Sequence, residues 1–404
     1  MQQFNPEQAM TEIRREFGEH GGVTPSISRS STFSVMASET MPEIFAGVLG
    51  PENGSFLYSR HVNPTVNILA RYLAAMEGTE AALCTASGMS AISCTLLQLC
   101  SQGDQIISSN TVYGGTHALL QHLLPQMGIT TTFVDPTKTD AFYRAITPAT
   151  KVLYVETMGN PTLKFANLPA LAKLAGDHNL TLVVDNTFTP MMISPARLGA
   201  DITVYSMTKF INGASDVIAG AVCATKEMVG RLMDLHTGRA MLLGPTMDPR
   251  MAYDIMQRLP HLGIRMREHS RRAQAMASHL EGLGVAVVYP GLSSFLQHGL
   301  VSSLLNKEYG YGGMFTIDCG TREKADQLLN HLQNIENFGY IAVSLGYFDT
   351  LMSCSGSTTS SEISEAEQKE MGLSPGLVRI AVGYTGSLEE RVKQLDRAVK
   401  AVRL

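Results

Sequence analysis

The feature that most constrains the fold is an alternation of short apolar runs and longer amphipathic stretches between residue 64 and about residue 225. The runs have the length of strands and the stretches have helical periodicity, which is typical of a mainly parallel sheet covered by helices. We therefore predict an α/β fold. Its strands are predicted over 105–108, 129–134, 151–155, 181–184 and 202–205, and helices over 91–100, 117–124 and 168–177.

The chain of 404 residues is longer than one ordinary hydrophobic core, and it divides into three predicted parts. Residues 1–62 are rich in Ser, Gly and Pro, and this composition predicts an extended N-terminal arm. The alternation of strand-like and helix-like segments predicts a large domain over 63–247. For residues 248–404, the pattern predicts linking helices followed by a smaller α/β domain. The elements predicted there are helices over 248–284, strands over 314–317 and 378–382, a helix over 324–335, a final helix, and a mobile loop over 353–364.

Charge and cysteine usage exclude several functional classes. The formal net charge is -5 without any basic block, which argues against nucleic acid or an acidic membrane as a partner. No apolar run reaches the roughly 18 to 20 residues of a membrane span, and the N-terminus lacks a signal pattern. The scattered cysteines predict buried thiols in a reducing compartment and no metal site, so we expect a cytoplasmic protein.

Two residues at the ends of apolar runs suggest a cofactor. Asp185 ends one run, and Lys209 follows the next within Ser206-Met207-Thr208-Lys209. A pyridoxal-phosphate enzyme needs a lysine that bonds to the cofactor aldehyde and a carboxylate that keeps the pyridine nitrogen protonated. The hydroxyls of Ser206 and Thr208 can donate to the phosphate. Each pattern alone is more often structural, so the hypothesis depends on other segments.

Three further segments add candidate cofactor contacts. Ser87-Gly88-Met89 precedes an apolar helix, where backbone N–H groups can bind a phosphate, although an ordinary helix cap explains Ser-Gly equally well. The ring of Tyr113, before two glycines, can stack on the pyridine, or can simply pack beside a turn. Asn160 can bind the phenolic oxygen of the cofactor, or can form an Asn-Pro turn.

Two arginines are candidates for binding anions. Arg379 lies in a predicted strand, where its two-pronged guanidinium can bind an amino-acid carboxylate; a solvent-facing arginine is the alternative. Tyr58 and Arg60 lie in the arm and can contact a phosphate if the arm crosses to a neighbouring subunit. Without that crossing, Arg60 is a solvated loop residue.

Taken in order, these segments closely resemble the transsulfuration family of pyridoxal-phosphate enzymes, which includes cystathionine synthases and lyases, methionine γ-lyase and O-acetylhomoserine sulfhydrylase. The resemblance runs from about Gly21 to the end, and it is strongest to plant-type methionine γ-lyases over 58–65, 241–247, 260–263, 309–313 and 351–357. The sequence motifs that carry the resemblance to the family are Tyr58-Ser59-Arg60, Asn63-Pro64-Thr65, Ala86-Ser87-Gly88-Met89, Val112-Tyr113-Gly114-Gly115, Asn160-Pro161-Thr162, Val184-Asp185-Asn186-Thr187-Phe188, Thr208-Lys209, Ala342-Val343-Ser344-Leu345-Gly346 and Leu377-Val378-Arg379.

The resemblance implies pyridoxal-phosphate fold type I, pyridoxal 5'-phosphate as cofactor, and roles for individual residues. Lys209 is implied as the cofactor-linked lysine and the base that takes the α-proton. Tyr113 is implied as the acid for the leaving thiolate, and Arg379, Ser344 and Val343 as substrate contacts. Since Tyr58 and Arg60 are implied to serve the adjacent subunit, the resemblance also predicts a homo-oligomer, a tetramer built from two dimers.

The implied reaction is γ-elimination of L-methionine or a similar γ-substituted amino acid, which gives 2-oxobutanoate, ammonia and, from methionine, methanethiol. Departures leave the substrate open: Gly115 replaces a cysteine of many bacterial methionine γ-lyases, and Val343 replaces a glutamate of several cystathionine-processing members. Elimination on another amino acid such as L-canavanine, and γ-replacement as in O-acetylhomoserine sulfhydrylase, are the alternatives. A non-catalytic cofactor carrier and a nicotinamide enzyme are disfavoured, the latter because no Gly-x-Gly-x-x-Gly follows an early strand.

Overall fold

The computed structural model describes residues 4–13, 15–355 and 373–404. Its helices are α1 Pro6–Thr11, α2 Thr40–Phe45, α3 Pro64–Glu77, α4 Gly88–Leu99, α5 Gly114–Ala118, α6 Thr139–Ala145, α7 Leu168–Asp177, α8 Lys226–Leu232, α9 Arg239–Leu243, α10 Pro249–Arg258, α11 Leu262–Gly282, α12 His298–Leu304, α13 Arg322–Asn334 and α14 Leu388–Ala401. Its strands are β1 Ala81–Thr85, β2 Gln105–Ser109, β3 Thr130–Val134, β4 Thr150–Glu156, β5 Thr181–Asp185, β6 Ile202–Ser206, β7 Gly220–Ala224, β8 Val287–Val288, β9 Met314–Asp318, β10 Tyr340–Ile341, β11 Leu351–Cys354 and β12 Leu377–Ala381.

The first half of the chain forms a seven-stranded sheet with the order β1-β7-β6-β5-β4-β2-β3. β7 runs antiparallel to β1 and β6, and the other neighbouring strands pair in parallel. The predicted α/β fold with a mainly parallel sheet is therefore confirmed. Two strands of this sheet, β1 and β7, were not predicted. β7 reads Gly-Ala-Val-Cys-Ala, and this run of mostly small residues lacks the bulky β-branched pattern that marked the other strands.

Three polar residues end neighbouring parallel strands at one edge of this sheet. Glu156 is the last residue of β4, Asp185 of β5 and Ser206 of β6. Ligands of such sheets collect beyond the carboxyl ends of the strands. Asp185 and Ser206 therefore lie where a ligand is expected, and Glu156 lies beside them.

Two helices differ from their predicted form. α4 begins earlier than predicted because Ser87 and Ser90 form a reciprocal cap, in which each hydroxyl accepts the other's backbone N–H at 3.1 Å. The helix predicted over 117–124 is wrong in type beyond Ala118. The chain continues there as a π-helical turn, Leu119–Leu123, and then a 3-10 turn, Leu124–Met127. Pro125 has no N–H with which to extend an α-helical ladder.

The C-terminal part holds a second sheet with the order β10-β11-β12-β9-β8. β12 lies at its centre, where Arg379 is paired in register with Ser353 of β11 and Thr316 of β9. The loop predicted over 353–364 is wrong for Ser353 and Cys354, which are buried strand residues. Cys354 packs in the hydrophobic core of this part of the chain, and Ser353 lies on the opposite face of the strand. Residues 356–364 lie outside the described part of the chain.

The two sheets are joined by α10 and α11, and the N-terminal residues pack against this link. Glu7 of α1 accepts hydrogen bonds from Arg267 of α11 at 2.8 Å and from the Tyr309 hydroxyl at 2.9 Å. Much of the segment that follows, residues 18–62, is solvent-exposed in the single chain. The boundaries at 62 and 247 and the contact with a neighbour remain predictions. Among the described helices, none is both long and apolar enough to cross a bilayer.

Candidate active site

A cavity of about 380 Å³ opens at the carboxyl edge of the large sheet and reaches the second sheet. It is lined by residues from both halves of the chain, which explains why no single stretch of sequence reveals it. The predicted residues that it brings together are Ser87, Gly88, Met89, Tyr113, Asn160, Asp185, Ser206, Thr208, Lys209, Val343, Ser344 and Arg379. Tyr58 and Arg60 do not line it.

Lys209 lies in a tight turn directly after β6, where its backbone N–H donates to the Ser206 carbonyl at 3.3 Å. Its ammonium Nζ donates to Ser344 Oγ at 2.7 Å. Burial, together with the nearby positive charge of Arg379, lowers the pKa of the amine to about 8. A larger fraction of the amine is therefore neutral near neutral pH than for an ordinary lysine, as a nucleophile or base requires.

Asp185 presents a buried carboxylate to the same cavity. Its Oδ1 accepts the backbone N–H of Thr187 at 2.9 Å, which fixes the side chain at the strand end. Burial raises its pKa, and the hydrogen bonds from Thr187 partly oppose this. Among the ion pairs of the described residues, none includes Asp185. The Asp185 carboxylate therefore has no cationic partner among the described residues. A protonated pyridine nitrogen would be a suitable partner.

The start of α4 and the end of β6 form a close-fitting cradle. A Cβ atom on Gly88 would lie 2.7 Å from Ser206 Cβ, so only glycine lets the helix start approach the strand this closely. Backbone N–H groups of the first helical turn and the Ser206 hydroxyl suit an anionic phosphate. The Ser87 side chain forms an ordinary N-cap, which confirms that interpretation, while phosphate binding at this helix start remains a prediction. The Thr208 hydroxyl donates to the Ala219 carbonyl at 3.3 Å, so it must turn to donate to a phosphate.

Arg379 is 2% exposed, which excludes a solvent-facing side chain. Its Nη1 donates to Asn160 Oδ1 at 2.9 Å and its Nη2 to the Ser344 carbonyl at 2.9 Å. Its Nε is buried and has no hydrogen-bond partner among the described residues. Burial lowers the pKa of Arg379 to about 10. A buried cation bonded only to neutral oxygens is suited to an anionic ligand, such as the carboxylate of an amino acid.

Glu156 is a site residue to which the sequence analysis gave no role. Its carboxylate accepts the backbone N–H of Tyr113 at 2.5 Å and that of Asn160 at 3.3 Å, and it pairs in strand register with Asp185. Burial raises its pKa well above the ordinary value, and the adjacent Asp185 raises it further. The sequence does contain a signal for Glu156 as a site residue, because Glu156 ends its apolar run just as Asp185 ends the next one.

The mouth of the cavity is partly apolar and exposed. Val343 is 65% exposed and Ile218 is 70% exposed, and both line the cavity. The Tyr113 ring stands at the same opening. A Cβ atom on Gly115 would lie 2.6 Å from Cε1 of that ring, so the position of Tyr113 depends on the glycine. The side chain of a substrate would meet an apolar wall here.

Tyr58 and Arg60 lie together elsewhere on the chain. The Arg60 guanidinium stands 5.4 Å from the centre of the Tyr58 ring, and its Nη1 donates to the Met241 carbonyl at 3.0 Å. Arg60 lines a second cavity, of about 260 Å³, with Met247 and residues of β1. The fold of one chain therefore does not bring this pair to Lys209. In the described part of the chain, no group of three or more His, Cys, Asp or Glu residues could hold a metal ion.

Comparison with known proteins gives a consistent result. Residues 8–400 match the family described as Cys/Met metabolism PLP-dependent enzyme. A methionine γ-lyase of Arabidopsis thaliana is 54% identical over 396 residues, which cover 98% of this chain and 90% of that protein. An L-methionine γ-lyase of Pseudomonas putida is 35% identical over 388 residues, which cover 95% and 94%. A structure from Campylobacter jejuni, assigned as an O-acetylhomoserine (thiol)-lyase and containing N'-pyridoxyl-lysine-5'-monophosphate, superposes with a TM-score of 0.89 at 25% identity, covering 98% of this chain and 100% of that one.

Proposed function

The chain belongs to the family of pyridoxal-phosphate-dependent enzymes of cysteine and methionine metabolism, and we propose that it catalyses γ-elimination of L-methionine. As a carbon–sulfur lyase it would release 2-oxobutanoate, ammonia and methanethiol. The observation that carries the proposal is the arrangement around Lys209, whose amine lies 2.7 Å from Ser344, the residue whose carbonyl also accepts from Arg379. A base and a carboxylate-binding cation thus stand in one cavity.

The residues present fit the cofactor. Lys209 would bond to its aldehyde, Asp185 would hold its pyridine nitrogen protonated, and the cradle formed by Gly88 and Ser206 would take its phosphate. The Oδ1 atom of Asn160 is occupied by Arg379, which directs the amide N–H₂ of Asn160 to the phenolic oxygen. When bound, pyridoxal phosphate draws electrons away from the carbon atoms of an attached amino acid.

The side chains of this chain would handle the substrate and its protons. Arg379 binds the α-carboxylate and so fixes the α-carbon near Lys209. Its Nε, which has no partner among the described residues, supplies a further donor for that carboxylate. The Lys209 amine, once neutral, takes the α-proton, while Ser344 orients Nζ. Tyr113, at the opening, donates a proton to the departing thiolate.

The apolar mouth supports methionine as the substrate. Val343 and Ile218 offer no charged partner to a second amino or carboxyl group at the far end of a substrate. The methyl thioether of methionine, in contrast, would be stabilised by burying its apolar surface against them. The relatives from Arabidopsis thaliana and Pseudomonas putida are methionine γ-lyases by name. Elimination on L-canavanine and γ-replacement with sulfide are accordingly not favoured.

The arrangement of Tyr58 and Arg60 supports an oligomer. Since one chain keeps this pair away from its own cavity, we infer that the pair serves the phosphate of an adjacent subunit. The assembly would be a tetramer made of two such dimers. Residues 1–62 would be the arm that makes the crossing, 63–247 the cofactor domain and 248–404 the C-terminal domain. All six cysteine side chains are buried thiols, which suits the cytoplasm as the predicted compartment.

A product assay with two substrate mixtures tests the proposed reaction. The purified, cofactor-loaded protein is given L-methionine alone in one tube, and O-acetylhomoserine with sulfide in the other. We expect 2-oxobutanoate from the first tube and little homocysteine from the second. Homocysteine from the second, without 2-oxobutanoate from the first, would assign the chain to γ-replacement instead.

A further inference from the structure

One buried carboxylate connects the two loops that face the cavity from either side. Tyr113 follows β2 and Asn160 follows β4, and a hydrogen-bonded link between their two loops would fix the spacing of these residues. Glu156 supplies one, because its Oε1 accepts the Tyr113 N–H at 2.5 Å and its Oε2 accepts the Asn160 N–H at 3.3 Å. Each oxygen thus binds a different loop.

Building on the proposed function, we propose that Glu156 is a positioning residue that sets Tyr113 and Asn160 at the spacing needed to hold the cofactor ring and the substrate. Tyr113 is placed to stack on the ring. Asn160 is placed to bind its phenolic oxygen and, through Oδ1, fixes Nη1 of Arg379 at 2.9 Å. A shift of the Asn160 loop would therefore also shift the carboxylate-binding guanidinium.

The contacts of Glu156 distinguish this role from that of a general base. Both of its oxygens are occupied by backbone donors, and the residue is only 6% exposed, although it lines the cavity. In contrast, the Lys209 Nζ has one hydrogen-bond partner among the described residues, the Ser344 hydroxyl. A base must be able to approach the substrate proton, which Lys209 can do and Glu156 cannot.

The partner across the sheet links the charge of Glu156 to cofactor binding. Glu156 stands opposite Asp185 in the β4–β5 register, and two buried carboxylates side by side disfavour double ionisation. A protonated pyridine nitrogen at Asp185 would supply the missing positive charge. Cofactor binding and the two hydrogen bonds of Glu156 would then stabilise each other.

The substitution Glu156→Gln tests the role. It preserves size, but an amide has one oxygen in place of two, so one of the two backbone N–H groups loses its acceptor. We expect the Kd of cofactor binding to the cofactor-free protein to rise roughly tenfold, and the KM for L-methionine to rise by a similar factor, as for one lost buried hydrogen bond. The absorbance maximum of the bound cofactor should shift as well.

A matched control is available in Glu77→Gln. Glu77 is also a buried glutamate that accepts a backbone N–H, from Ala196 at 2.9 Å, but it does not line the cavity. The control should leave Kd, KM and the cofactor spectrum unchanged. If Glu156→Gln also leaves all three unchanged and alters only the melting temperature, the positioning role is wrong.

Hydrogen exchange on the wild-type protein gives an answer even if Glu156→Gln does not fold. The amides of Tyr113 and Asn160 should exchange slowly in the cofactor-free protein, because Glu156 already holds them. Exchange at the rate of open loops would overturn the proposal. Neither this measurement nor the cofactor Kd requires turnover of methionine. Inactivity of the wild type towards methionine would therefore contradict the proposed function, whereas the exchange rates and the cofactor Kd test the role of Glu156 independently.

Discussion

The Nζ atom of Lys209 donates a 2.7 Å hydrogen bond to Ser344 Oγ, across two parts of the chain that are far apart in sequence. Ser344 also accepts from Arg379 through its carbonyl, and its backbone has φ of 84°, a left-handed conformation that is uncommon outside glycine. One strained residue therefore contacts both the base and the carboxylate-binding cation. Strain at such a position is consistent with a functional requirement.

The variants Ser344→Ala and Ser344→Gly separate the hydroxyl from the backbone conformation. Both remove the acceptor for Lys209, and we expect each to lower kcat/KM for L-methionine by about tenfold, the effect of one lost hydrogen bond in a buried site. Glycine tolerates positive φ, so Ser344→Gly should be about 1 kcal/mol more stable than Ser344→Ala. Steady-state kinetics and thermal melting of the two variants check this. Full activity in both would show that Lys209 needs no orienting group.

The lowered pKa of Lys209 predicts a pH dependence for cofactor loading. Only the neutral amine attacks an aldehyde, and burial and Arg379 lower the pKa of this amine to about 8. The rate at which cofactor-free protein takes up pyridoxal phosphate should therefore rise with pH and level off above about 8. Stopped-flow absorbance at a series of pH values measures it. A rate that keeps climbing towards pH 10 would mean that Lys209 titrates as an ordinary lysine.

Glu77 predicts how stability changes with pH. Burial raises the pKa of its carboxyl from 4.5 to about 7, despite hydrogen bonds from Ala196, Tyr205 and Thr203. The folded protein thus keeps a proton that the unfolded chain releases. Its contribution is complete below pH 4.5 and is lost as the pH rises through 7, a change of about 3 kcal/mol. Glutamine imitates the protonated acid, so the melting temperature of Glu77→Gln should exceed that of the wild type by more at pH 8 than at pH 5. An equal difference at both pH values would contradict the assignment.

Mixed oligomers test whether Arg60 serves a neighbouring subunit. Arg60→Ala and Lys209→Ala should each be nearly inactive alone. In a mixed dimer, the Lys209→Ala subunit would supply Arg60 to the intact Lys209 of its partner. Random reassortment should then restore about a quarter of wild-type activity, because half of the dimers are mixed and each has one complete site. If mixed dimers form, as detected with two different tags, but no activity returns, Arg60 acts within its own chain or not at all.

Sequence patterns predicted the parallel core of the fold well, since β2 to β6 and α7 combine strong periodicity with clear ends. They failed for β7, whose small residues gain their strand identity from burial between β1 and β6. They also failed at Ser353 and Cys354, where composition favoured a loop and pairing with β12 imposed a strand. The composition of a segment does not reveal the neighbouring strands with which it pairs. That pairing determines the conformation of these segments.

The candidate site was predicted in its residues but not in its connections. Lys209, Asp185 and Arg379 were identified by chemistry, motif order and family resemblance. The hydrogen bonds from Arg379 to Asn160 and from Lys209 to Ser344 join residues on different loops, and no spacing in the sequence encodes them. Glu156 ends its apolar run as Asp185 does, but its hydrogen bonds to Tyr113 and Asn160 become visible only in the fold.

The central claim is that this cavity performs γ-elimination on methionine, and the most direct test is the release of 2-oxobutanoate from L-methionine alone. Cofactor-loaded wild type and Lys209→Ala would be compared at equal concentration, with Arg379→Lys as a variant that retains the charge. We predict rapid release by the wild type, none by Lys209→Ala, and a strongly raised KM for Arg379→Lys, which lacks the two-pronged guanidinium. Absence of 2-oxobutanoate from the wild type, while its cofactor absorbance remains intact, would contradict the account.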